Sequence, residues 1–212
     1  MVSVDFDTTD QENRGAVYAL LARLWIRELD GETIDALKSN DANSVLADLG
    51  LEFDHLNSDE LAVDFCRLFI GPRGAVLPIQ SVHMGGLLNG AAVDSMRDHL
   101  QYVQVPHHEN QILDHLGFQL QVMSAILQAS NVDEPPLAEN TGENAAANSA
   151  VRRLVREDLA SSFFAHHLAW TTVLFEPLEK IASGFYASLI GLTRDFLRQE
   201  ALHFGQILDS PR

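Results

Sequence analysis

Residues 17–25 read VYALLARLW, and this short stretch shows the pattern that governs the chain. Its large apolar side chains recur at i, i+3, i+4, i+7 and i+8, which places them on one face of an α-helix. Gly31 follows and predicts the end of that helix. Similar spacing returns in later segments, whereas no segment shows the alternation of a β-strand. The sequence therefore predicts an all-α fold.

Later helices are separated by glycine and proline breaks. Asn57 and Glu60 form a capping-box pattern that opens a helix running through Phe69, and Gly71-Pro72 ends it. Residues 71–90 are predicted to form a long ordered loop. The predicted helices after the first cover 33–38, 42–49, 57–69, 91–102, a segment containing 112–127, then 149–166, 168–182 and 184–207.

The domain organisation follows from this spacing of helices. We expect residues 1–212 to form a single domain, an all-helical bundle of about 8–10 helices. Residues 131–148 contain Pro135-Pro136 and many polar residues, which predicts a mobile linker within that domain.

Composition limits the classes of function. The formal net charge of −16 disfavours nucleic acid as a partner. Cys66 is the only cysteine, so no intramolecular disulfide can form. No apolar run reaches the roughly 20 residues that span a bilayer. The acidic N-terminal residues lack the basic and apolar regions of an export signal. We therefore expect a cytoplasmic protein without a membrane span.

Three motifs occur in an order that carries more information than any one of them. The first is FCRLFIGP at 65–72, followed by LPIQSV at 77–82. The second is DHLGFQLQVM at 114–123. The third joins FAHHLAW at 164–170 to FYASLIGLTRDFL at 185–197. Together they resemble the TorD/DmsD/NarJ family of redox-enzyme maturation chaperones over roughly residues 60–200.

The resemblance implies a binding function rather than an enzyme activity. Such chaperones bind the twin-arginine leader of a molybdopterin-dependent reductase for dimethyl sulfoxide, trimethylamine oxide or nitrate. They support cofactor insertion into the apo-form of the catalytic subunit before export. No cofactor or metal of the chaperone itself is implied. The matched positions implicated in leader binding are Leu68, Phe69, Pro78, Gln80, Ser81, Asp114 and His115.

Some positions depart from the family pattern. Gln80 stands where the family usually has glutamate, and Ile79 stands where it has an aromatic residue. A glutamate and a proline usually precede the Asp-His pair, where this chain has Gln111 and Ile112. The apolar positions are kept, so the departures concern peptide contacts more than the fold.

The residue types suit such a ligand. A carboxylate forms charge-assisted pairs with arginine, and Asp114 is the best candidate, with Glu109 a possible contributor. An apolar peptide helix needs a groove, which Leu68 and Phe69 could line, although core packing is their default role. Asp114 and His115 are expected on one helix, about 100° apart. His115 could hold the 78–82 loop in place.

Two other readings remain open. Glu52 with His55 and Glu200 with His203 match the Glu-x-x-His spacing of a di-iron carboxylate bundle. With the numbers of glutamate and histidine present, chance alone gives about 0.5 such pairs, so this signal is weak. A general helical adaptor for another protein partner is the third reading. Leader peptides with and without the paired arginines would separate it from the first.

Overall fold

The computed structural model describes residues 11–38, 50–51, 56–71, 75–85, 88, 90–128 and 142–208. Within these ranges the regular elements are helices and there is no β-strand, which confirms the all-α prediction. The helices are α1 (Gln11–Ile26), α2 (Gly31–Leu37), α3 (Ser58–Phe65), α4 (Gln80–Met84), α5 (Ala91–Leu100), α6 (Leu116–Gln128), α7 (Gly142–His167), α8 (Thr171–Ile181) and α9 (Gly184–His203).

Helix α1 packs antiparallel along α6, and this pair is the most extensive contact between helices in the described chain. Small residues allow the close approach. The Ser124 hydroxyl donates a hydrogen bond of 2.8 Å to the carbonyl oxygen of Gly15. At the other end, a Cβ placed on Gly117 would lie 2.7 Å from both the backbone nitrogen and the Cα of Ile26. Gly117 is therefore required by backbone contact.

We expect Gly117→Ala to destabilise the protein by about 2–3 kcal/mol, because the backbone of α1 must move to accept the new methyl group. That corresponds to a fall in melting temperature of roughly 4–12 °C for a chain of this size. Gly191→Ala is the matched control, since a Cβ at that helical glycine meets nothing within 4 Å. The control should be neutral or slightly stabilising. Equal stability of both variants in thermal unfolding would contradict the tight α1–α6 crossing.

An aromatic core joins the N-terminal and C-terminal helices. Tyr18 on α1 meets Phe196 on α9 edge-on, with ring centroids 4.8 Å apart. The indole nitrogen of Trp25 donates a hydrogen bond of 2.9 Å to the Thr193 hydroxyl, also on α9. Burial of these large side chains supplies most of the driving force for closing the bundle. The apolar stripe at 17–25 thus packs against a helix more than 160 residues away in sequence.

A buried ion pair connects the same helices. The guanidinium of Arg14 donates two hydrogen bonds of 2.9 Å to the two carboxylate oxygens of Glu200 on α9. Both residues are buried. A third bond of 3.2 Å joins Arg14 to Glu157 on α7. The arrangement is bidentate and charge-assisted, the strongest form of such a pair. It orients α1, α7 and α9 relative to one another.

Several predicted boundaries differ from the structure. Gly31 does not end α1, which stops at Ile26; it is the first residue of α2, where the Asp30 side chain accepts a hydrogen bond from the Thr33 amide. The loop predicted over 71–90 contains the short helix α4. Helix α7 begins at Gly142, inside the predicted 131–148 linker. The predicted helix 42–49 and residues 131–141 lie outside the described residues.

The helix predicted to run from Asn57 through Phe69 changes type near its end. Asn57 caps α3 as expected, accepting a hydrogen bond of 2.9 Å from the Asp59 amide. After Phe65 the chain forms a π-helical turn over Cys66–Ile70. The Gly71 amide closes that turn by donating to the Cys66 carbonyl at 2.7 Å. Because the helical segment ends at Ile70, the Leu68 carbonyl has no partner within it and instead accepts a hydrogen bond of 2.7 Å from the Val76 amide.

Candidate functional site

The two motifs at 77–82 and 114–123 are held together by backbone hydrogen bonds. The Gln80 amide donates to the Asp114 carbonyl at 2.9 Å, and the Leu116 amide donates to the Pro78 carbonyl at 2.8 Å. These bonds make an isolated bridge between Ile79 and His115. The bonds that hold the loop are made by the backbones of Asp114 and Leu116 on either side of His115, whereas the His115 ring accepts from the Gly117 amide. The prediction that Asp114 and His115 lie on one helix is wrong, because α6 begins at Leu116.

The Asp114 side chain is buried, with 1% of its surface exposed. Its Oδ2 accepts a hydrogen bond of 2.8 Å from the Ser81 amide, in the first turn of α4. The N-cap residue of α4 is Ile79, and its side chain makes no such bond. A carboxylate at a helix N-terminus satisfies a free amide and is favoured by the helix dipole. Asp114 thus caps a helix that lies 33 residues earlier in the chain.

Gln80 is the centre of a buried polar network. Its amide nitrogen donates to the His166 carbonyl at 2.6 Å, and its amide oxygen accepts from the Gln119 side chain at 2.6 Å. The Gln119 oxygen in turn accepts from the indole nitrogen of Trp170 at 3.0 Å. An ionised glutamate could not donate to the His166 carbonyl. This geometry explains why glutamine suits the position at which the family usually has glutamate.

His167 completes the network on α7. Its Nδ1 lies 3.2 Å from the Gln80 side-chain oxygen, and its Nε2 lies 3.0 Å from the Ser95 hydroxyl. The Gln80 oxygen can only accept, so Nδ1 carries the proton and Nε2 accepts from Ser95. Burial lowers the pKa of His167 to about 3, assisted by the neighbouring His99 and His166 rings. His167 is therefore a neutral structural group at neutral pH.

His115 is also neutral at neutral pH. It is half-buried, and burial lowers its pKa to about 4 although the nearby Asp114 carboxylate acts in the opposite direction. Its Nδ1 accepts a hydrogen bond of 3.1 Å from the Gly117 amide at the start of α6. The ring thus helps to begin the helix that crosses α1.

The two apolar residues proposed for a groove lie in the core. Leu68 is fully buried and Phe69 is 4% exposed. The Phe69 ring lies 5.5 Å from that of Trp25 and 5.7 Å from that of Tyr186, measured between centroids. Their neighbour Ile70, by contrast, is 62% exposed. Leu68 and Phe69 are therefore surrounded by other core residues, as their default role in core packing implies.

A groove of about 770 Å³ opens directly beside Asp114, between α5 and the segment 107–114. Apolar residues from both walls line it, and Ile112 and Leu88 are 45% and 62% exposed there. The apolar residues that line the groove are Leu88, Val93, Leu100, Ile112 and Leu113. The polar residues beside them include Arg97, His107, His108 and Glu109. The exposed Glu109 provides the accessible carboxylate that the buried Asp114 does not.

Comparisons with known proteins identify the family of the chain. The family model described as the nitrate reductase delta subunit matches residues 35–176. The chain belongs to that family. The chaperone protein TorD of Shewanella sp. (strain ANA-3) is 27% identical over 219 residues, covering 92% of this chain and 95% of the relative. The chaperone protein TorD of Shewanella oneidensis is 26% identical over 221 residues, covering 93% of each. No solved structure gives a significant match.

Membership of the nitrate reductase delta subunit family confirms the resemblance drawn from the three motifs. The family consists of TorD/NarJ-type chaperones of molybdoenzyme maturation and not of enzymes. The matched region contains both the 77–82 and the 114–123 motifs and ends within α8. Within the described ranges, no helix is long and apolar enough to cross a membrane.

Protein side chains hold the Glu200–His203 pair of the di-iron alternative. Glu200 is held on both oxygens by Arg14, and the Nε2 of His203 lies 2.6 Å from Glu157. Both residues of this pair are thus engaged by protein groups. Elsewhere in the described chain, no three histidine, cysteine or acidic side chains are placed to share an ion. The other pair, Glu52 and His55, lies outside the described residues.

Sequence reasoning missed the residues that organise this family member's site. Gln119 and His167 lie inside the quoted motifs but on helices distant in sequence, and only their shared contact with Gln80 gives them a role. The groove residues on α5 and at 107–113 were also missed apart from Glu109. The available signal was the Pro106 break, followed by seven residues with two adjacent histidines before the Asp-His pair.

We expect the free energy of unfolding to decrease as the pH falls below about 6.5. The reason is that His167 is protonated in the unfolded chain but resists protonation in the folded protein. The stability is present above the unfolded pKa of about 6.5 and is lost as pH falls toward the folded pKa. At pH 4.5 the loss from this group is about 2–3 kcal/mol. Urea unfolding of the protein and of His167→Gln measures it. The stability of His167→Gln should decline less steeply with falling pH, whereas that of His108→Gln, at an exposed position, should not. Parallel curves for the unaltered protein and both variants would contradict this role of His167.

Proposed function

We propose that this chaperone binds the twin-arginine leader of a molybdopterin-dependent reductase, and that the leader lies in the groove between α5 and residues 107–114. It would act in the cytoplasm, on the apo-form of the catalytic subunit, and support cofactor insertion before export. The observation that carries the proposal is the position of the groove. It opens beside the junction at which the two family motifs meet.

The chemistry of the groove matches that of such a leader. A twin-arginine leader presents two guanidinium groups and then an apolar stretch. Exposed Ile112 and Leu88 offer apolar surface, and the exposed Glu109 carboxylate can pair with a guanidinium. The ring of His115 is neutral, and the guanidinium of Arg97, which lines the groove, is paired with Asp94 at 2.8 Å.

The seven predicted site residues enter this proposal in two roles. The loop and the start of α6 are held in place by five of them, which are Pro78, Gln80, Ser81, Asp114 and His115. These contacts set the shape of the groove wall at Asp114. Leu68 and Phe69 anchor the π-helical turn that precedes the loop, through the Leu68 carbonyl and the Phe69 ring. We propose that these seven residues position the site, while groove residues such as Ile112 and Glu109 touch the peptide.

Calorimetric titration with a twin-arginine leader peptide tests the function. We expect a dissociation constant near the micromolar range, about −8 kcal/mol, that rises at least tenfold when both arginines are replaced by alanine. No binding, or equal binding of both peptides, would overturn leader recognition.

Two variants then test the place of binding. Ile112→Asp should weaken binding by about tenfold or more, because a charge replaces an exposed apolar anchor. Val63→Asp is the matched control, since Val63 is 68% exposed on α3 and does not line the groove. Leader binding that is unaffected by Ile112→Asp but lost in Val63→Asp would move the site to the outer face of α3.

A further inference from the structure

Three histidine rings meet where α5 packs on α7. His99 comes from the last turn of α5, and His166 and His167 end α7. The centroid of the His99 ring lies 6.0 Å from that of His166 and 5.0 Å from that of His167. The proposed function of the groove uses none of these rings.

The hydrogen bonds define the free nitrogen of two of the rings. Nδ1 of His99 lies 2.8 Å from the Ser95 carbonyl, and Nδ1 of His166 lies 2.7 Å from the Ser162 carbonyl. A carbonyl oxygen only accepts, so both Nδ1 atoms donate. In each neutral ring the proton is therefore on Nδ1, and Nε2 keeps a lone pair. A backbone carbonyl bonded to the second ring nitrogen is the usual partner of a metal-binding histidine, since it fixes both the tautomer and the ring orientation.

The third ring does not compete for this role. His167 has both nitrogens engaged, one by Gln80 and the other by Ser95. It is 1% exposed, so it is enclosed by the protein while the other two rings are more accessible. His166 is exposed and His99 is half-buried, so water and ions reach the pair from one side.

We propose that the Nε2 atoms of His99 and His166 form a two-histidine site for a divalent first-row transition ion such as Zn²⁺, with water completing the coordination. Imidazole nitrogen suits zinc, nickel and copper, and zinc–nitrogen bonds of about 2.0–2.1 Å bring two bound rings to roughly 5–6 Å between centroids. Bound ion would join α5 to α7. Because α5 forms one wall of the groove, the ion would stiffen that wall.

Thermal unfolding of the full chain with added ZnCl₂ tests the site. An ion that binds only the folded state raises the melting temperature, by about 5–10 °C at a zinc concentration 100-fold above its dissociation constant. EDTA should reverse the rise, and MgCl₂ at the same concentration should not reproduce it, because magnesium prefers oxygen ligands.

The variants His99→Gln and His166→Gln identify the ligands. Each should lose most of the zinc-dependent rise, whereas the exposed His108→Gln should keep it. The rise is compared with and without zinc for each variant, so a change in basal stability from losing the His99 ring does not obscure the result. Calorimetry with Zn²⁺ alone should give one ion per chain in the unaltered protein. No rise in the unaltered protein, or an equal rise in all variants, would overturn the proposal. Neither result depends on leader binding.

Discussion

Replacing Phe69 with alanine is expected to destabilise the protein by about 3–5 kcal/mol, the range for removing a large aromatic side chain from a packed core. The Phe69 ring contacts three other aromatic residues, with centroids 5.1 Å away at Phe65, 5.5 Å at Trp25 and 5.7 Å at Tyr186. The cavity left behind would open between α1 and α9, the two helices that carry Trp25 and Tyr186. Thermal or denaturant unfolding measures the loss, which is roughly 6–20 °C in melting temperature.

The adjacent residue provides the control for this experiment. Ile70 shares the same π-helical turn but is 62% exposed, so Ile70→Ala should change stability by less than about 0.5 kcal/mol. Phe69→Ala should weaken leader binding only to the extent that it lowers the fraction of folded protein. A Phe69→Ala protein of normal stability with weakened leader binding would show that the ring faces the peptide and that its core position is wrong.

Glu200→Gln is expected to cost about 3–5 kcal/mol, because it leaves the buried guanidinium of Arg14 without its bidentate partner. Glu200 is fully buried and accepts two hydrogen bonds of 2.9 Å. Glu157 remains within 3.2 Å of Arg14 and is partly exposed, which favours the lower end of this range. Urea unfolding at neutral pH gives the free energy directly.

A double variant separates the cost of an unpaired charge from the value of the pair. Arg14→Met with Glu200→Leu removes both charges and keeps similar volume, and we expect it to be more stable than Glu200→Gln alone. The surface variant Glu176→Gln, which breaks the exposed Lys180–Glu176 pair at 2.8 Å, should have little effect. A double variant no better than Glu200→Gln would indicate that the orientation of α1, α7 and α9 depends on the ion pair itself.

Local patterns in the sequence accounted for much of the architecture. The stripe at 17–25 predicted α1, Asn57 predicted the start of α3, and the motif order predicted the family. These features depend on neighbours within one or two turns of a helix or on the order of motifs, so a single chain displays them. The π-helical turn at Cys66–Ile70 was not predicted, because apolar spacing indicates a helix but does not show that the Gly71 amide bonds the Cys66 carbonyl five residues back.

By itself, the sequence determined that this protein is an all-α chaperone of its family and that the motifs at 77–82 and 114–123 matter. Only the tertiary structure decided what their residues do. Asp114 was predicted to pair with a leader arginine, and its buried partner, the Ser81 amide, could not be recognised because it lies 33 residues away. Gln80 departs from the family's usual glutamate, and the reason that glutamine suits the position was hidden because its partners, Gln119 and the His166 carbonyl, lie on two other helices. Burial and pairing across such separations are properties of the folded bundle, since they arise only when distant helices pack together.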